Sequence, residues 1–150
     1  MADNQLRLIA LDEQDLEIVS SHLQDAVVRV GDLAYVPSQK RFAAILNRFN
    51  WEKSAKAAAK DANERRRTAL RFDRVLACKS RNIDPASPEA RLELVGIEFC
   101  PGEPPGGSAL LMFSHGGALR LDVECLECEL TDLGADDLGT GETGDGADVP

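Results

Sequence analysis

The chain has 150 residues and carries 17 Lys and Arg against 26 Asp and Glu, a formal net charge of −9 at neutral pH. Its 43% hydrophobic and 29% charged content excludes a wholly disordered or collagen-like chain, and the length favours one domain with one core. The start, Met1-Ala2-Asp3-Asn4-Gln5, lacks the basic and apolar regions of a signal peptide, and the longest uncharged stretch, 104–119, is broken by Pro and Gly, so a cytoplasmic protein with no membrane span is expected.

Residues 6–11 are β-compatible and stop at Asp12, a favoured N-cap residue with Asp15 three positions on. Leu16, Val19 and Leu23 then recur at i, i+3 and i+7, which predicts an amphipathic helix over 12–24. The period changes to two after it. Residues 26–30 and 33–36 read as short strands about a tight turn at Gly31-Asp32. Residues 41–51 read as a strand covered on both sides, with Phe42, Ala44 and Leu46 on one face and Ile45, Phe49 and Trp51 on the other.

No hydrophobe larger than Ala occurs in 52–69, so this stretch is expected to be a basic, solvated insert, mobile or frayed-helical. Order is predicted to return at Leu70, with Leu70, Phe72, Leu76 and Cys78 sharing one face. A strand over 92–100 groups Val95, Ile97 and Phe99, and the Pro- and Gly-rich run 101–107 ends it. A hairpin follows. Its strands, 109–114 and 119–123, flank Gly116-Gly117, both expected at positive φ. Val123, Leu126, Leu130 and Leu133 then fit i, i+3, i+7 and i+10 before Gly134, which predicts a closing C-terminal helix. The Gly- and Asp-rich tail 135–150 is expected to be disordered.

These elements make an α+β pattern: an N-terminal strand-helix unit, about seven strands in a curled antiparallel sheet or open barrel, and a C-terminal helix that plugs it. The architecture resembles the roll of pleckstrin-homology-like domains. One globular domain is expected over 1–134.

Several strings carry a sequence resemblance as well. Leu11-Asp12-Glu13-Gln14-Asp15-Leu16, His22-Leu23-Gln24-Asp25-Ala26-Val27, Asn47-Arg48-Phe49-Asn50-Trp51-Glu52, Arg65-Arg66-Arg67-Thr68-Ala69-Leu70-Arg71-Phe72 and Gly116-Gly117-Ala118-Leu119-Arg120-Leu121-Asp122-Val123-Glu124 are similar to those of a bacterial family known only as a domain of unknown function. The resemblance spans about 6–134 and implies no activity, cofactor or catalytic residue.

The charge is uneven. Residues 1–39 hold 2 basic and 7 acidic side chains, residues 40–81 hold 13 and 4, and residues 82–150 hold 2 and 15. Lys53, Lys56, Lys60, Arg65, Arg66 and Arg67 in the insert are therefore candidate contacts for an anion or an acidic partner. The alternative is a solvated stretch whose charges balance acidic strands of the same chain or of a second copy. Complementary segments suggest a homodimer, while the net negative charge disfavours nucleic acid as the partner.

Catalytic and metal signatures are weak or missing. Cys125-Leu126-Glu127-Cys128 is the one C-x-x-C pattern; a zinc site would need Cys78 and Cys100 to converge on it, and Glu124, Glu127 and Glu129 disfavour a reactive thiolate. His22 and His115 have no motif around them. No nucleophile elbow, phosphate loop, dinucleotide fingerprint or zinc-protease motif occurs. Carboxylate pairs such as Glu93 with Glu98 or Asp122 with Glu124 arise by chance among so many acids. No catalytic residue, cofactor or metal is assigned. A non-enzymatic binding or scaffolding module is the expected function, against two alternatives: a small enzyme or ligand carrier with a pocket between sheet and N-terminal helix, or anion or nucleic-acid binding through the basic segment 40–81.

Overall fold

A computed structural model describes residues 6–49 and 65–133. The predicted tail 135–150 and all of the insert before Arg65 lie outside the described residues. Within them the strands are β1 (Arg7–Ala10), β2 (Val27–Val36), β3 (Arg41–Phe49), β4 (Arg65–Asp73), β5 (Val75–Arg81), β6 (Arg91–Pro101), β7 (Gly107–Phe113), β8 (Ala118–Val123) and β9 (Cys128–Asp132), with one helix, α1 (Glu13–His22).

The nine strands form one antiparallel sheet in the order β1-β9-β4-β3-β2-β6-β7-β8-β5. Only Arg74 separates β4 from β5, yet they stand third and ninth in that order, so the sheet must curl until its β5 edge returns to the end of β4. It stays open. Across the seam the Val75 N–H donates to the Lys40 carbonyl at 2.9 Å, and the Tyr35 hydroxyl donates to the Val75 carbonyl at 3.0 Å. A mostly antiparallel sheet and its N-terminal helix were legible in the sequence; nine strands exceed the seven or so expected.

Helix α1 starts as predicted. The Asp12 carboxylate accepts from the Asp15 N–H at 2.8 Å, and the Asp15 carboxylate accepts from the Leu11 N–H at 3.2 Å, which satisfies two backbone donors at the first turn. Leu16, Val19 and Leu23 are buried where the helix lies on β6, and Ser20 Oγ accepts from the Ile97 N–H at 2.9 Å. The core inside the curl joins these to Phe42, Leu70, Phe72, Leu111, Leu121 and Leu130 in one contiguous cluster.

The predicted C-terminal helix is replaced by strand. Residues 128–132 pair with both β1 and β4, and Cys128, Leu130 and Asp132 point inward with period two. The helical reading arose because Val123, Leu126 and Leu130 satisfy i, i+3 and i+7 by coincidence, while the third inward position of the strand is a carboxylate, which reads as solvent-facing. A pleckstrin-homology-like roll would need that helix as its plug, and the covering helix here is N-terminal instead.

Five further expectations shift, each through a local feature. Strand β4 begins at Arg65, five residues before Leu70, because Thr68 is buried against β9 and draws the arginines into the ladder. Arg74 takes φ 63° and reverses the side-chain phase, so Val75 is buried while Leu76 is 52% exposed. A register shift between Leu94 and Gly96 does the same in β6, burying Ile97 and leaving Val95 outside. Gly31-Asp32 is no turn: β2 runs through it with a register shift, and Gly31 lies so close to Pro88 that a Cβ would stand 3.1 Å from it. The β7–β8 hairpin is present, but its positive φ values fall on His115 and Gly116, with Gly117 at −73°.

Candidate functional site

Direct pairing of Asn47 with Arg67 and of Phe49 with Arg65 puts Arg65 and Arg67 on the outer face of the sheet. Val27 pairs with Asn47 across β2 and β3, and Arg91 pairs with Arg29 across β6 and β2. Adjacent rows of the outer sheet face thus bring Arg65 and Arg67 of β4 and Arg29 and Arg91 of the β2–β6 pair around Val27, Ile45 and Asn47, with Glu93 paired to Val27 beside them. Between them lies a solvent-open cleft of about 410 Å³, lined also by Leu46 and Asp32.

Its electrostatics are one-sided. Four guanidiniums face one carboxylate, on a chain whose net charge is −9. Asp32 is taken up by Arg29 at 3.4 Å. Arg65 is fixed by its own neighbours: its guanidinium stacks 4.1 Å from the Phe49 ring centroid and donates to the Asn47 carbonyl at 3.2 Å. Arg67 and Arg91 have no carboxylate partner among the described residues. A concave site in which Arg67 and Arg91 lack a carboxylate partner attracts anions, and a guanidinium can grip them bidentately.

The predicted contacts divide. Arg65 and Arg67 line the cleft. Arg66, paired with Arg48, faces the interior, and its Nε is buried without a hydrogen-bond partner. Lys53, Lys56 and Lys60 lie outside the described residues. Arg29 and Arg91 were missed because they belong to the acidic segments 1–39 and 82–150. Their outward position on adjacent strands was the available signal.

Beneath the β3–β4–β9 surface is a second polar group of different character. Arg48, fully buried, donates from Nε and Nη2 to the two Asp132 oxygens at 2.9 and 2.8 Å. The Thr68 hydroxyl donates to Asp132 Oδ1 and the Leu6 N–H to Oδ2, both at 2.9 Å. Burial alone would raise the Asp132 pKa, but these hydrogen bonds and the Arg48 charge outweigh it and hold the carboxyl below its ordinary 3.8. Both carboxylate oxygens are saturated, so this is a structural tie among β1, β3, β4 and β9.

Among the described residues, several other basic side chains of 40–81 are paired inside the chain. Arg71 bridges Asp73 and Glu129, Arg41 holds Asp73, Lys40 holds Glu124, and Arg74 reaches Glu124 and Glu127. Of these, the contacts to Glu124, Glu127 and Glu129 join the basic segment to the acidic one within the same chain.

The other chemistry-bearing residues do not converge. Cys100 is exposed, Cys128 is buried with its thiol pKa pushed up by desolvation, and among the described residues no three His, Cys, Asp or Glu side chains group as metal ligands. His22 sits at the C-terminus of α1, its Nδ1 3.0 Å from the Ile18 carbonyl, and His115 lies in the β7–β8 turn. Asp122 is engaged by Ser108, Arg120 and Lys79. Between α1 and β6 there is only a groove of about 200 Å³, lined by Glu13, Glu17 and Glu98 among others. No described helix is long and apolar enough to cross a membrane.

No curated protein and no solved structure matches the chain. The family model described as protein of unknown function (DUF2948) matches residues 6–144, and the chain therefore belongs to that family.

Proposed function

We propose that the protein is a non-enzymatic binding module whose ligand is an anion held in the arginine cleft between β4 and the β2–β6 pair. The observation that carries this reading is the pair Arg67 and Arg91, on opposite sides of one cavity and without a carboxylate partner among the described residues. Unpaired guanidiniums facing each other repel, and a bound anion relieves that repulsion while forming charge-assisted hydrogen bonds. Among the described residues that line the cleft there is no Ser, Thr, Cys, His, Lys or Tyr, which supports binding over turnover. An extended nucleic acid fits poorly, because Glu93 on β6 pairs directly with the cleft residue Val27 on a chain of net negative charge.

Thermal unfolding of the full chain with and without inorganic phosphate tests this. A ligand that binds only the folded state stabilises by about 2.7 kcal/mol at a hundredfold excess over its Kd. Phosphate should raise Tm, and the Arg67→Gln/Arg91→Gln chain should lose that increment while keeping its own Tm. An equal increment in both chains would place the effect elsewhere.

A further inference from the structure

The arrangement of the four arginines says more than that the cleft takes an anion. They stand in two groups separated by uncharged surface. Arg65 and Arg67 come from β4, Arg29 and Arg91 from the directly paired residues of β2 and β6, and Val27, Ile45 and Asn47 lie between. From β4 there are two strand spacings to Arg29 on β2 and three to Arg91 on β6, about 10 and 14 Å across the sheet. Arginine side chains from both sides line the same cavity, so the groups they grip stand closer together than their strands do.

We infer that the cleft is built for a small ligand with an anionic group at each end and an uncharged body between, of the bisphosphate or dicarboxylate class; this rests on the anion-binding reading of the same site. A single compact anion engages one arginine group and leaves the other uncompensated. A two-ended anion engages both, and the second contact becomes intramolecular. Such linkage raises affinity by about 10²-fold or more when the spacer matches the gap, and by nothing when it cannot span it. The body meets the Val27 and Ile45 side chains and the Asn47 amide, which provide apolar contact and a hydrogen-bonding group without further charge. Asp32 stays with Arg29 and keeps that end from gathering anions without limit. At about 410 Å³ the cavity has the size of a small-molecule site and not of a polymer track.

Calorimetric titration of the full chain with a homologous series of alkane bisphosphonates, beside methylphosphonate, tests the inference. Affinity should pass through a maximum at one chain length and there exceed that of methylphosphonate by about 10²-fold. Arg67→Gln and Arg91→Gln should each return the best bisphosphonate to near the methylphosphonate value, with unchanged Tm in the absence of ligand. If methylphosphonate and all bisphosphonates bind alike, the cleft holds anions but is not two-ended, and the inference fails while the anion-binding reading stands. If none binds, both fail. Tighter binding of a single-stranded oligonucleotide than of any bisphosphonate would also overturn the inference.

Discussion

Arg48 and Asp132 are oppositely charged, fully hydrogen-bonded to each other and hidden from water, and such a pair is costly to break and cheap to replace as a unit. Arg48→Met should lower stability by about 3–5 kcal/mol, because it strands the Asp132 carboxylate, and Arg48→Met/Asp132→Leu should recover most of that loss. Urea denaturation of the three chains measures it; additive losses would contradict the pairing. The same carboxylate sets a pH dependence. Its folded pKa lies below the ordinary 3.8, so its contribution to stability is present above that value and disappears as pH falls through the folded pKa. Asp73, despite the burial that alone would raise it, is lowered by Arg41 and Arg71 and acts in the same direction. Stability should therefore decline as the pH is taken below about 4, less steeply in Arg48→Met/Asp132→Leu than in the parent. None of this was legible in the sequence. A lone Arg on a strand and a lone Asp near its end read as solvent-facing, and only the three-strand register shows that they meet.

At the scale of elements, single residues with unusual backbone decide which side chains are inside. Arg74 in the left-handed region separates a strand with Phe72 inside from a strand with Leu76 outside. Phe72→Ala should cost about 3–5 kcal/mol, whereas Leu76→Ala should cost no more than about 0.5 kcal/mol. Comparable losses at the two sites would mean that the strand runs through Arg74 in one phase, as the bare alternation suggests. The helix α1, the β3 faces and the β7–β8 hairpin were readable because capping, period and turn residues all agreed there. The β5 phase, the β6 phase and β9 were not, because a bulge, a left-handed arginine and a buried acid each break the period without announcing themselves in composition.

At the scale of the whole molecule, the charge segments of the sequence become neighbours in space. Strand β4, from the basic segment, lies beside β9, from the acidic one, and Arg71 with Glu129 marks their contact. In the cleft that they form with Arg29 and Arg65, Arg67 and Arg91 keep no carboxylate partner among the described residues. The segment tally pointed to Arg65 and Arg67 and missed the other two, since a site assembled from four strands has no contiguous signature. Anion binding there should weaken as salt rises, because screening over a Debye length of about 8 Å at physiological ionic strength acts on exposed guanidiniums. The most direct measurement follows the arginine Nε–H resonances of the isotope-labelled chain while inorganic phosphate is added. Those of at least one cleft arginine without a carboxylate partner, Arg67 or Arg91, should shift and saturate, while those of Arg74 and Arg120, already held by carboxylates, stay in place. Cleft resonances that move no more than those of Arg74 and Arg120 would show that this surface binds no anion.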